Sequence, residues 1–393
     1  MKTKDIIKDH DLYVMQTYGR YPLVIAKAKG QYVWDNNGKK YLDFFPGWAV
    51  SGIGHCHPLV VKRAKEQVAK VIHVPNNYYN LLQGKLAKEI IKNSFSGTVF
   101  FCNSGAEAIE GAIKLARKYG YPKKYEIISM KKSFHGRTLA AITLTGQPKY
   151  HKGFKPLPKG FKHVEFNNFE ALKKAVTKKT AAIVIEPIQG EGGINVATKE
   201  YLKKVKALCN KQDILLIFDE VQSGMGRTGK MFAFEHYGIK PDVMTLAKTL
   251  GGGFPIGALV ASKKVSKVLT PGTHASTFGG SPIVCAASLA VFEAIKKDKL
   301  LLNVNKVGSY LVKELEILKK KYPHIIKGIK GKGLMLGIEL HIDGTALPVL
   351  ALKEGLLINC TQGNILRMLP PLNITKHDVD EALKLFEKVL KKV

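Results

Sequence analysis

The chain has 393 residues, 45% hydrophobic and 24% charged, enough for a large core and two structural units and ordinary for a soluble globular protein. Its +31 net charge comes from 62 basic residues of which only six are arginines; the lysines recur on polar helix faces, a solvated surface rather than a nucleic-acid site. No apolar run approaches the ~18 residues of a membrane span, the opening "MKTKDIIKDHDLYVM" lacks a secretory apolar core, and Cys56, Cys102, Cys209, Cys285 and Cys360 form no CxxC pair, so a cytoplasmic protein with free thiols is expected, without membrane or nucleic-acid partners.

In chain order, "GQYVWDNNGKKYLDFF" (30–45) predicts a hairpin, with apolar residues alternating either side of Asn36, Asn37 and Gly38. From about residue 50, strand and helix patterns alternate. "TVFFCNSG" reads as a strand ending in a turn, and "AEAIEGAIKLARKYG" as the helix after it. "YEIISM", "AAIVIEP" and "DILLIFDE" are β-branched, nearly continuous apolar runs, the mark of strands buried on both faces. "KEYLKKVKALCNKQ" is the helix between the last two. After about residue 286 come long helices, with "GKGLMLGIEL" and "GLLINCT" as strands. The fold expected is a large α/β domain whose central, mostly parallel sheet is flanked by helices, plus a smaller α+β domain. Its divisions are 1–45 (an N-terminal segment joining the small domain), 46–285 (large domain) and 286–393 (small domain).

Lys248 in "MTLAKTLGGGFPIGALV" closes an apolar run and leads into Gly251, Gly252 and Gly253. An amine in such surroundings costs free energy unless it is paired, neutralised or used chemically. Asp219 ends another buried strand. "NSGAEAIE" sets Ser104 and Gly105 at a helix start with Glu107 in capping-box position, which aims free N–H groups above the strand end. "KKSFHGRT" (131–138) supplies an aromatic, a histidine and one of the six arginines. "GHCHP" (54–58) offers two histidines, but with no third ligand nearby it reads as a turn, and no metal site is expected. Gly224 to Lys230 fits GxxxxGK after an acidic strand, the outline of a nucleotidase P-loop. Met231 stands where that motif needs Ser or Thr, and the loop follows the wrong strand. The other features jointly suit pyridoxal phosphate: an amine for its aldehyde, an anion cradle, a flat aromatic and a buried carboxylate.

Over nearly its whole length the sequence resembles the class III (fold type I) pyridoxal-phosphate aminotransferases, near the acetylornithine and ornithine aminotransferases. The motifs that carry the likeness, in order, include "GHCHP", "FFCNSGAEA", "SFHGRT", "EPIQGEGG", "FDEVQSGMGRTG", "LAKTLGGGFPIGA", "STFGGSP" and "LRMLPPL". The resemblance implies Lys248 as the imine-forming lysine, Asp219 on the pyridinium nitrogen and Gln222 on the phenolic oxygen. Val221 and Phe134 would take the two ring faces, and Gly105 and Ala106 the phosphate. Thr277, with Ser276 beside it, would reach the neighbouring subunit's phosphate in a homodimer with shared active sites. Arg137 would clamp the donor's α-carboxylate. Arg367, masked by Glu191, would serve glutamate and 2-oxoglutarate, and Tyr18 aligns with a carboxylate-binding tyrosine. The implied reaction transfers the distal amine of N-acetylornithine to 2-oxoglutarate; ornithine, succinylornithine and carrier-bound lysine precursors are alternative donors. Trp48 stands where relatives carry a smaller aliphatic residue or a tyrosine, which bears on pocket volume.

Overall fold

The structure, a computed structural model, describes residues 2–393. Seven strands build the central sheet: β1 (Gly97–Cys102), β2 (Glu126–Met130), β3 (Phe161–Val164), β4 (Thr180–Ile185), β5 (Leu215–Asp219), β6 (Val243–Leu246) and β7 (Gly257–Ser262). Their spatial order is β1-β7-β6-β5-β4-β2-β3. Neighbours pair in parallel except at β7, which runs antiparallel to both β6 and β1. Every residue of β4 and β5 is buried, the physical reason for their unbroken apolar sequence. The strand period then divides the side chains between faces. Ala182, Val184, Leu215 and Ile217 meet Ile109, Ile113 and Ala116 of the helix Gly105–Gly120. Ile183, Ile185, Leu216 and Phe218 face the larger core, with Leu202 and Val205 of the helix Lys199–Gln212.

The predicted hairpin forms from Tyr32–Asp35 and Lys40–Asp43, extended by Ile25–Lys29. "GLLINCT" is not one strand. Leu356–Leu357 pairs in parallel with Lys40–Asp43, whereas Asn359–Thr361 joins the antiparallel sheet of Ile326–Lys332, Met335–Leu340 and Ile365–Met368. "GKGLMLGIEL" likewise divides, because Gly333, at φ +60°, turns the chain between two of those strands. No described helix is long and apolar enough to cross a membrane.

The P-loop outline has a structural explanation. Residues 224–230 are turns and bends followed only by a single 3₁₀ turn at Ala233–His236, not by the α-helix a P-loop needs, and Lys230 is exposed. Arg227 is fully buried and donates to the carbonyls of Leu334 and Pro370, tying this loop to the antiparallel sheet instead of presenting it to a phosphate.

Candidate active site

The C-terminal ends of β4, β5 and β6 open onto a cavity of about 500 Å³. Asp219 is the last residue of β5 and opposes Thr245 of β6, so the run after β6 delivers Lys248 to the same space. Asp219 accepts from His135 Nδ1 at 2.7 Å with one oxygen, and from the Val221 N–H at 3.1 Å and the Thr245 hydroxyl at 3.3 Å with the other. Burial pulls the His135 imidazole down, but the hydrogen bond and charge of Asp219 outweigh it and hold the pKa above its usual value, with Glu186 adding to the effect. Glu186, just past β4, is itself pushed up to about 7 by burial. It bridges two loops, accepting from the N–H of Phe134 at 3.0 Å and of Gly190 at 3.1 Å.

Lys248 begins a single 3₁₀ turn with φ +50°, a left-handed conformation uncommon away from glycine, and Gly252 closes that turn at φ +57°. Lys248 lines the cavity and is half-buried. Among the described residues it has no hydrogen-bond or ion-pair partner. Desolvation lowers its pKa, opposed by the charges of Glu191 and Asp219. The result is an amine biased toward its nucleophilic neutral form.

Across from Asp219 stands the start of helix Gly105–Gly120. Ser104 Oγ accepts from the Glu107 N–H at 3.1 Å. The Glu107 carboxylate turns to the Asn103 backbone and side chain rather than to Ser104, so the capping box is only half formed. The first-turn N–H groups of Gly105 and Ala106 have no acceptor among the described residues and line the cavity at the positive end of the helix dipole. Gly105 must lack a Cβ, which would sit 2.9 Å from Val221 Cγ1. Phe134, Val221 and Gln222 complete the walls. The Gln222 amide is incompletely paired: Nε2 reaches only the Trp48 carbonyl at 3.4 Å, and its buried Oε1 has no partner.

Two arginines frame the site differently. Arg137 is exposed at the cavity mouth, its guanidinium 4.1 Å from the Tyr150 ring centroid and 5.6 Å from that of Phe134. No carboxylate among the described residues pairs with it. Arg367 is buried at 1% exposure and each of its nitrogens has a partner: NH1 meets Glu191 Oε1 at 2.5 Å, while Nε and NH2 share Asn359 Oδ1 at 3.0 and 2.6 Å. Its guanidinium also lies 5.0 Å from the Phe45 ring centroid.

Residues 13–390 match the family described as Aminotransferase class-III. The chain belongs to the class III aminotransferases. It is 53% identical over 386 residues to an acetylornithine aminotransferase of Caldanaerobacter subterraneus subsp. tengcongensis, covering 97% of this chain and 98% of the relative. It is 52% identical over 389 residues to one from Methanocaldococcus jannaschii (97% and 96% covered). Among solved structures it is similar to the ornithine aminotransferase of Toxoplasma gondii, with a TM-score of 0.95 at 33% identity, covering 100% of this chain and 96% of that one. The acetylornithine aminotransferase of Elizabethkingia anophelis superposes with a TM-score of 0.89 at 32% identity, both chains covered to 100%.

Not every residue expected in the site of this class III aminotransferase lines the cavity of the single chain. Ser276 binds the Asn103 amide at 3.3 Å just outside it, and Thr277 is exposed beside it. Tyr18 is not brought there: it is 66% exposed, with Arg20 over its ring. The Trp48 ring stands off as well, packed edge-on against Phe45 at 5.6 Å, and only its carbonyl reaches Gln222. His55 and His57 turn to separate carboxylates, Asp43 and Asp298. Conversely, Glu186, Tyr150, Asn359 and the pairing of His135 with Asp219 carry no sequence signal of their own. "SFHGRT" places His135 one residue from Phe134, but its partner is 84 residues away.

Proposed function

We propose that this aminotransferase uses pyridoxal 5′-phosphate to move the distal amino group of N-acetylornithine to 2-oxoglutarate, giving N-acetylglutamate semialdehyde and glutamate, a step of arginine biosynthesis. The observation that carries the reading is the contrast between its arginines. Arg137 is free at the mouth, while Arg367 is covered by Glu191. A donor that anchors its carboxylate at the mouth extends its far amine inward to Lys248. The acetylornithine aminotransferases at 53% and 52% identity support that donor, and the likeness to an ornithine aminotransferase keeps ornithine as the second candidate.

The residues present fit the cofactor. The unpaired N–H groups of Gly105 and Ala106 would hold its phosphate, Phe134 and Val221 its ring faces, and Asp219 its ring nitrogen. Gln222 Nε2, held only by its long contact to the Trp48 carbonyl at 3.4 Å, would donate to the phenolic oxygen. When bound, pyridoxal phosphate supplies an electron sink for the carbon that loses a proton. Lys248, whose charged form desolvation disfavours, would take the proton from the carbon bearing the distal amine and return it within the same site. His135 holds the Asp219 carboxylate in place through its 2.7 Å contact. For the second half-reaction Glu191 swings aside, and Arg367 binds the α-carboxylate of glutamate or 2-oxoglutarate.

A homodimer completes this reading. Thr277 is exposed outside the lining of its own cavity, where it would reach the phosphate bound by a second copy. Tyr78, Leu81 and Phe278 are 70%, 85% and 60% exposed around it, apolar surface that suits a partner subunit. The deciding experiment is a donor panel with 2-oxoglutarate as acceptor. N-acetylornithine should give the highest kcat/KM; a higher value for ornithine or succinylornithine would overturn the substrate assignment.

A further inference from the structure

The gate residue Glu191 sits in the tip of a hairpin between Ile188–Gln189 and Asn195–Val196, flanked by Gly190, Gly192 and Gly193. Three glycines around one carboxylate leave the tip free to turn, and the bonds on either side, Gly190 N–H to Glu186 at 3.1 Å and Asn195 Nδ2 to the Gly192 carbonyl at 2.9 Å, do not hold the Glu191 carbonyl itself. Its side chain is bound only to Arg367. Its backbone carbonyl, however, is held by two donors from the opposing antiparallel sheet: Thr361 Oγ1 at 2.8 Å and Gln362 Nε2 at 2.8 Å. Gln362 is itself set in a left-handed conformation, φ +54°, and its Nε2 also reaches Gln147 Oε1 at 3.2 Å. Gln147 is buried, and its amide holds the carbonyls of Ser133 at 3.0 Å and Lys132 at 3.3 Å, the residues that lead into Phe134 and Arg137. A continuous chain of amides and one carbonyl therefore joins the loop of the free arginine to the pivot of the gate over the other.

From this we infer that Thr361 and Gln362 are specificity-determining positioning residues, which fix the Glu191 backbone so that the gate moves by side-chain rotation alone and closes on Arg367 in one orientation. The inference rests on the gated reading of Glu191 given above. With the carbonyl pinned, opening costs the Glu191–Arg367 contact and leaves the hairpin undisturbed. With it released, the glycine-flanked tip relaxes, the carboxylate loses its aim, and Arg367 is open more of the time to α-carboxylates.

The test is the ratio of single-turnover rates for glutamate and for N-acetylornithine with the holoenzyme. The Thr361→Val, Gln362→Ala double variant should shift that ratio toward glutamate by about three- to tenfold, the scale of one or two neutral hydrogen bonds. Thr361→Ser, which keeps the hydroxyl, should restore the Thr361 share of the shift. In a Glu191→Ala background the double substitution should leave the ratio where Glu191→Ala has put it, because there is no gate left to aim. An unchanged ratio in the double variant, or equal slowing of both half-reactions, overturns the clamp while Glu191→Ala still shows the gate. If Glu191→Ala itself leaves the ratio unmoved, the gated reading fails and the clamp with it.

Discussion

The Arg367 guanidinium and the Glu191 carboxylate meet at 2.5 Å, the arginine 1% exposed and the glutamate side chain 21%. The asymmetry gives the pair a direction of motion: Glu191 has solvent to move into and Arg367 has none. Asn359 remains on the guanidinium when Glu191 leaves, so an arriving carboxylate finds an oriented, partly desolvated cation. Removing Arg367 with Ala should slow the glutamate half-reaction about ten- to a hundredfold, the value of a charge-assisted bidentate contact, and the acetylornithine half much less. Glu191→Ala should raise α-amine transfer from donors that normally react at the distal end. Single-turnover absorbance traces separate the halves, and equal slowing of both by Arg367→Ala would reduce that residue to a structural one.

Arg137 should show the opposite bias. It stacks on Tyr150 and spends none of its N–H groups on a carboxylate, so its planar fork is oriented yet unoccupied. Arg137→Ala should raise KM for acetylornithine by about tenfold or more with little change in the glutamate half-reaction. Tyr150→Leu should reproduce part of that loss. A KM left unchanged by both substitutions would remove the clamp from the mouth of the site.

How far the sequence reveals this site depends on the length scale of each signal. β4 and β5 are legible because strands buried on both faces must be apolar throughout. Asp219 and Lys248 are legible because a charge stands out at the end of such a run. The half-formed capping box at Ser104 is legible as a helix start, but not the turning of Glu107 to Asn103. What stays hidden is pairing that local pattern does not encode: His135 with Asp219 across 84 residues, Glu186 with Phe134 across 52, and Asn359 with Arg367, eight residues apart but joined only through the register of two neighbouring strands. "GLLINCT" misleads for a related reason. One apolar run feeds two sheets, and local periodicity contains nothing about which partner strand each half will find.

Lys248 is expected to carry the cofactor. Borohydride treatment of protein incubated with pyridoxal phosphate should bleach its yellow colour and trap the cofactor on Lys248, located by peptide mapping. Lys248→Ala should abolish turnover. Trapping on another lysine would displace Lys248 from its role, and with 56 lysines in the chain that control has discriminating power.

Glu220, next to Asp219 but turned away from the cavity, provides a pH test of the fold. It is 1% exposed and accepts from the N–H groups of Ala233 at 2.7 Å and Phe234 at 2.8 Å and from the Ser223 hydroxyl at 3.2 Å. Burial pushes it up from an ordinary 4.5 to about 7, against the pull of those donors. The folded state thus holds this proton more tightly than the unfolded one. The stability it contributes is fully present below 4.5 and is lost as pH rises through 7. Glu220→Gln removes the titration but turns an amide toward N–H donors, a cost of about 1–3 kcal/mol. In urea titrations of the apoprotein, the deficit of Glu220→Gln relative to wild type should therefore be larger at pH 5 than at pH 8. An equal deficit at both would mean that Glu220 ionises in the folded state as it does in the unfolded chain.

Gly190 links the gate hairpin to the cofactor site by close packing against Gln222 as well as by its N–H bond to Glu186 at 3.1 Å. A Cβ there would stand 2.1 Å from Gln222 Oε1 and 2.9 Å from its Cδ. Gly190 does not occupy the left-handed region, so alanine would strain only its surroundings, and the Gln222 amide is what must give way. That amide has one weak contact holding it, to the Trp48 carbonyl at 3.4 Å, and it moves at little cost to the apoprotein. It cannot then keep its place opposite the phenolic oxygen. Gly190→Ala should weaken pyridoxal phosphate binding by about three- to tenfold, the worth of one hydrogen bond at the upper end of the neutral range. The midpoint of thermal unfolding of the apoprotein should barely change. Fluorescence titration of the apoprotein with the cofactor measures the first, and a melting curve the second. Unaltered cofactor affinity would show that Gln222 takes no part in holding it; a large loss of apoprotein stability would show that the clash falls on the backbone instead.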